Sequence, residues 1–80
     1  MRATVLVRPK RGILDPQGEA VESSLRQLGF AVEGARIGRV VDLELEDGDP
    51  AQARQELERM CEQLLANPLI ESYEITVGAA

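Results

Sequence analysis

Two Asp-Pro dipeptides, Asp15-Pro16 and Asp49-Pro50, constrain this chain more than any other feature. Proline loses nothing at the first helical position, where the N–H has no intrahelical partner. An aspartate just before it can accept a hydrogen bond from one of the orphan donors. Each dipeptide therefore predicts a helix start, and the device is used twice in 80 residues. After the first, Val21, Leu25 and Leu28 fall on one helical face, with Gly18 at the start of the stripe. Glu22 and Arg26 make a favourable i,i+4 pair. Gly29 is placed to end the helix in the left-handed conformation, followed by Phe30 for the apolar contact of a Schellman cap. After the second, Ala53, Leu57, Met60, Cys61, Leu64 and Leu65 recur at helical spacing until Asn67-Pro68 stops the run.

What lies outside these helices reads as strand. Residues 3–8 are β-branched and partly alternating, with Pro9 near their end. Residues 31–46 are read as two strands reversing at Gly38-Arg39 with a glycine bulge. In the second of them Val41, Leu43 and Leu45 alternate with Asp42, Glu44 and Glu46. Tyr73, Ile75 and Val77 form a last strand, and Gly78-Ala79-Ala80 reads as a frayed tail. The order is β-α-β-β-α-β in one α+β domain, residues 1–80. The natural solution is a single antiparallel sheet with both helices on one face, a ferredoxin-like arrangement. The other face would expose Thr4, Leu6, Arg8, Asp42, Glu44, Glu46, Glu74 and Thr76. That face, or a sheet edge, is expected to meet another subunit.

Composition narrows the function. With 44% apolar and 29% charged residues the chain is globular. Only Phe30 and Tyr73 are aromatic, so the core is aliphatic, and a core this small often gains stability by oligomerisation. There is no histidine, which removes the commonest general base and metal ligand, and one cysteine excludes an internal disulfide. A net charge of −5 argues against a nucleic-acid binder. No apolar run reaches the ~20 residues of a membrane span, and no cleavage signal is seen. The expectation is a soluble, cytoplasmic protein that binds or assembles and is not catalytic alone.

Four segments, taken together and in order, carry a resemblance. Leu14-Asp15-Pro16-Gln17-Gly18, Arg36-Ile37-Gly38-Arg39, Leu64-Leu65-Ala66-Asn67-Pro68 and Ile70-Glu71-Ser72-Tyr73 resemble the PurS family, the small subunit of phosphoribosylformylglycinamidine (FGAM) synthase. One departure is Arg39, where the family more often shows lysine. The resemblance implies a three-protein enzyme of purine biosynthesis that converts formylglycinamide ribonucleotide, glutamine and ATP to FGAM, glutamate, ADP and phosphate. Its partners would be a synthetase subunit (PurL), which uses ATP and magnesium, and a glutaminase subunit (PurQ). PurS would bridge them and support ammonia transfer, with no cofactor and no catalytic residue of its own. The resemblance also implies dimers or dimers of dimers. A rival reading is a small-ligand regulatory module, since similar folds bind amino acids between subunits.

Candidate residues are few. Arg36 and Arg39 flank Gly38 and could clamp a carboxylate or phosphate of a partner, or pair across the strands with Asp42 or Glu44. The run Asp42, Glu44, Glu46, Asp47, Asp49 could hold a hard cation, but it does not match a calcium loop. A solvated strand face and a helix cap is the plainer reading, with docking to a basic partner surface ahead of metal. Arg36, Arg39, Asp42 and Glu44 are therefore the candidate partner interface. Arg8, Lys10 and Arg11 form a basic cluster without the aromatic platforms of a nucleic-acid site. Cys61 lies in the apolar stripe with no base to activate it, and reads as a core thiol.

Overall fold

A computed structural model describes residues 1–78. Its elements are β1 (Arg2–Pro9), α1 (Pro16–Gln27), β2 (Arg39–Glu44), α2 (Pro50–Met60), a π turn (Cys61–Leu65) that continues α2, and β3 (Glu71–Val77). The three strands form an antiparallel sheet in the order β2-β1-β3. Its register places Val41, Val5 and Ile75 in one row, and Leu43, Ala3 and Val77 in the next. These rows line the inner face. Leu57 and Cys61 cover them and are fully buried, joined by Ala66. Burying Leu57 and the β-branched side chains of β1 contributes about 1.5–3 kcal/mol each.

The α+β class, with an antiparallel sheet and two helices, matches the sequence pattern. Two details differ. Residues 31–38, expected to form a strand, are irregular. Their backbone groups are engaged elsewhere: Arg26 Nε donates to the Val32 carbonyl (2.7 Å), and the Ile37 N–H donates to Asp15 Oδ2 (2.7 Å). With glycine at 34 and 38 as well, a ladder on the outer side of β2 has little to form from. The second difference concerns α1, which contributes no side chain to the core. Among the described residues, α2 and its π turn provide the helical side chains of the inner face, and just after α1 Leu28 is 73% and Phe30 59% exposed.

Other local signals match the structure. Gly29 has φ 98°, its N–H donates to the Arg26 carbonyl, and Phe30 N–H donates to the Leu25 carbonyl, which is the Schellman pattern. Asp49 caps α2 by accepting from Ala51 N–H at 3.1 Å. The end of α2 departs from the expected period. Ala66 N–H donates to the Cys61 carbonyl five residues back, and the wider turn delays the stripe. Leu64 is thereby 83% exposed, while Leu65 is half-buried and Ala66 is buried. Gly78, expected to fray, donates its N–H to the Arg2 carbonyl; Ala79 and Ala80 lie outside the described residues.

The molecule is long and thin, 49 × 27 × 14 Å, with a radius of gyration of 15.8 Å. A compact chain of this length would have about 12 Å. Its accessible surface is 6001 Å², against about 4,700 Å² for a compact monomer of the same mass. The open face carries Thr4, Leu6, Arg8, Asp42, Glu44, Glu74 and Thr76, as the alternation requires, while Glu46 lies beyond β2.

Candidate partner interface

One end of the sheet gathers three connections: residues 10–15 after β1, 28–38 before β2, and 66–70 before β3. They are pinned to one another by specific bonds. Lys10 N–H donates to the Ile70 carbonyl at 2.9 Å, and Lys10 Nζ to the Pro68 carbonyl at 2.6 Å. Arg36 Nη1 donates to the Pro9 carbonyl at 3.0 Å. Asp15 occupies the N-cap position of α1, yet its firm bond is to Ile37 N–H rather than to its own helix. That N–H, with smaller help from the amides of Gly18 and Gln17, holds the Asp15 carboxyl below its usual range.

At the centre is a two-pronged ion pair. The β1–β2 register sets Arg39 opposite Val7, and the β1–β3 register sets Tyr73 opposite Val7 and Glu71 opposite Pro9. Arg39 reaches over β1, donating from Nη1 to Glu71 Oε2 (2.7 Å) and from Nη2 to Glu71 Oε1 (3.0 Å) and the Leu65 carbonyl (2.6 Å). Glu71 Oε1 also accepts from Asn67 N–H at 2.7 Å. The guanidinium first, and the Asn67 N–H second, keep the Glu71 carboxyl low, while Glu71 raises Arg39. Planar fork on planar carboxylate is a geometry that a single ammonium could not reproduce. Close packing supports the clasp. A Cβ on Gly38 would stand 2.3 Å from the Val7 carbonyl oxygen, and one on Gly18 would stand 2.2 Å from that of Ala35.

The four candidate residues do not form one patch. Arg36 and Arg39 belong to this pinned end. Asp42 and Glu44 lie on the open face, where Asp42 accepts from Thr4 Oγ1 (3.0 Å) and Glu44 pairs with Arg2 Nε (3.2 Å). The cross-strand pairing of either arginine with Asp42 or Glu44 does not occur, because Arg39 points to the other side of the sheet. Sequence alone does not single out Glu71, Asp15 and Asn67 as site residues. Strand alternation gives Glu71 the parity of Tyr73 and Ile75, but only the register across β1 brings it to Arg39. Cys61 is fully buried, and burial first, then the nearby charges of Glu62 and Glu58, push its thiol up. The Tyr73 hydroxyl donates to Glu62 Oε1 at 2.9 Å, which raises its pKa. Among the described residues no group of three or more His, Cys, Asp or Glu side chains could hold a metal ion. Among the described residues no helix is long and apolar enough to cross a membrane. The pinned end therefore offers ionised carboxylates and guanidinium groups held in fixed positions.

The segments that meet here are the four that carried the family resemblance. The family model described as "PurS: Phosphoribosylformylglycinamidine (FGAM) synthase" matches residues 2–79. The chain belongs to the PurS family. It is 51% identical over 78 residues to the Synechocystis phosphoribosylformylglycinamidine synthase subunit PurS, covering 94% of this chain and 76% of that one. It is 38% identical over 77 residues to the Methanocaldococcus jannaschii PurS subunit, covering 95% and 93%. The crystal structure of M. jannaschii PurS superposes with a TM-score of 0.85 at 36% identity, over 99% of this chain and 96% of that one. The PurS-family fold also matches a chain in the structure of PurLQS from Thermotoga maritima, with a TM-score of 0.84 at 33% identity over 94% and 93% of the two chains.

Proposed function

We propose that this chain is the non-catalytic PurS subunit of an FGAM synthase in purine biosynthesis. In this reading it holds a synthetase and a glutaminase subunit in fixed relation while ammonia passes between them. Family membership carries the reading, together with the fold match to a chain in a PurLQS structure. The physical need is plain. Ammonia released at neutral pH is mostly protonated, non-nucleophilic and free to diffuse away. Two active sites that share it must be held together with water restricted between them. ATP and magnesium belong to the synthetase partner, and the setting is the cytoplasm.

We further infer a homodimer, able to pair into a tetramer. The accessible surface exceeds that of a compact monomer by about 1,300 Å². One partner's share of a standard interface is about 800 Å². The excess is apolar where it matters: Val21 of α1 and Leu28 and Phe30 just after it are exposed, and on the inner face Val41 and Leu43 of β2 are only half-buried. A second copy can cover both.

The test is reconstitution with purified synthetase and glutaminase subunits. Glutamine-driven turnover is expected to require this chain, and turnover fed with excess ammonia to require it much less. Equal glutamine-driven rates with and without it would overturn the assignment. Light scattering that shows only monomer at high micromolar concentration would overturn the dimer.

A further inference from the structure

The two edges of the sheet are not alike. Backbone hydrogen bonds fix which residues face outward on each. Leu45 N–H donates to the Met1 carbonyl at 2.7 Å, and the Met1 amine donates back to the Leu45 carbonyl at 2.8 Å. Antiparallel pairs alternate between exchanging bonds and not, so Leu43, Val41 and Arg39 direct their backbone groups to β1. Val40, Asp42 and Glu44 turn theirs outward, and among the described residues nothing bonds them. On the other side Gly78 N–H donates to the Arg2 carbonyl and Lys10 N–H to the Ile70 carbonyl, which sets Glu71, Tyr73, Ile75 and Val77 outward. That edge is occupied at two points. Glu71 N–H donates to the Asn67 carbonyl at 2.7 Å, and Arg54 of α2 donates from Nη1 to the Ile75 carbonyl at 3.0 Å. A charged side chain across an edge carbonyl obstructs strand addition. The inner face is covered on the same side: Ile75 of β3 is 8% exposed, whereas Val41 and Leu43 of β2 are half-buried. The bare edge and the bare part of the inner face adjoin.

We propose that the chain adds a strand at β2 alone, taking β2 of a second copy in antiparallel register about Val41, and that Arg54 closes β3 to the same pairing. The proposal rests on the dimer inferred above and names its seam. A two-fold axis normal to the sheet keeps both inner faces on one side, so Val41 and Leu43 of the two copies join in one apolar surface. The exposed excess of about 1,300 Å² suffices for one partner's share of such an interface. Outward groups must meet outward groups, which limits the register. An axis through Val41 sets Val40 opposite the partner's Asp42 and supplies about four backbone hydrogen bonds. An axis through Asp42 would set that carboxylate against its own counterpart, and one through Leu43 would set it against the partner's Glu44; like charges directly opposite disfavour both. An axis through Val40 would carry Asp42 past the partner's Arg39, where β2 begins.

The experiment is disulfide trapping in the full chain, with light scattering and circular dichroism on every variant. At the axis Val41 meets the partner's Val41 as a non-hydrogen-bonded pair, with Cα atoms about 4.5 Å apart and so within reach of a disulfide. Leu43 would lie about 13 Å along the strand from the partner's Leu43, out of reach. Under oxidised glutathione Val41→Cys is expected to form covalent dimer at least about tenfold faster than Leu43→Cys. Cys61 is fully buried and silent in both. Arg54→Ala is expected to open β3 and raise the mean mass about twofold or more above wild type at high micromolar concentration, with circular dichroism unchanged. Arg54→Lys, which keeps a charged donor at that edge, should hold the wild-type mass. Equal trapping at positions 41 and 43, or a wild-type mass for Arg54→Ala, would overturn the proposal, and a dimeric wild type beside either result would leave the dimer standing. A wild type that is only monomeric would overturn both.

Discussion

Replacing Arg39 by alanine probes the clasp directly. The change removes two charge-assisted hydrogen bonds to Glu71 and one to the Leu65 carbonyl. Hydrogen bonds to charged groups contribute about 1.5–3 kcal/mol when well buried, and exposed ion pairs only about 0–1 kcal/mol. The Arg39 side chain is 49% exposed and that of Glu71 16%, which places the loss between these limits, at about 1–2 kcal/mol. For a chain of this size that is a fall in Tm of about 5–15 °C. The pH dependence is the sharper reading. Glu71 titrates below its ordinary 4.5 because Arg39, and then the Asn67 N–H, favour its charged form. A carboxylate depressed in the folded state contributes stability that is complete above its unfolded pKa and is lost as pH falls through the folded one. The gap between wild type and Arg39→Ala is therefore expected to be full at neutral pH and to shrink steadily below about pH 4.5. Urea melts at one fixed protein concentration, from neutral pH downward, measure it, with Glu71→Gln and the double variant closing the cycle. A gap under about 0.3 kcal/mol at neutral pH, or one that does not narrow in acid, would refute the reasoning.

Other consequences are simpler to check. Leu57→Ala, at a fully buried position, is expected to cost about 2–5 kcal/mol by denaturant melting, because the sheet cannot collapse into the space. Gly38→Ala should cost about 1–3 kcal/mol, since the new methyl would meet the Val7 carbonyl where β1 and β2 begin to pair. Cys61 should resist thiol reagents in the native protein and react at the rate of unfolding, for burial holds its pKa up and hides it. Leu28→Ser/Phe30→Ser should leave the circular dichroism of the chain unchanged, as neither residue joins the core, while light scattering shifts toward monomer.

The parts of the fold that were legible share one property: each is decided within a few residues. Pro16 and Pro50 mark helix starts because a fixed φ and a missing donor act where they stand. Gly29 marks a helix end because φ 98° costs it nothing. The alternation of Val41, Leu43 and Leu45 sorted the two faces of β2 correctly for the same reason. Departures from these local signals have two sources, competition between distant groups and a local change of helical pitch. Residues 31–38 alternate poorly, but their failure to form a strand is settled by Asp15 and Arg26, which take up Ile37 N–H and the Val32 carbonyl. A period of 3.6 places Leu64 inward, and one π turn reverses it.

The candidate interface divides the same way. Arg36 and Arg39 drew notice from sequence as cations beside a glycine, and the four segments that resembled PurS were visible as local motifs. Their meeting at one end of the sheet was not, because register across β1 decides which side chains confront one another. Sequence alone thus determined the helix boundaries, the strand faces, the lack of an imidazole and the family, all properties of composition or near neighbours. Tertiary structure alone decided that Arg39 grips Glu71, that Arg36 is tied to the Pro9 carbonyl, and that α1 stands away from the core. Those depend on pairings 26 to 32 residues apart along the chain, which no local period encodes.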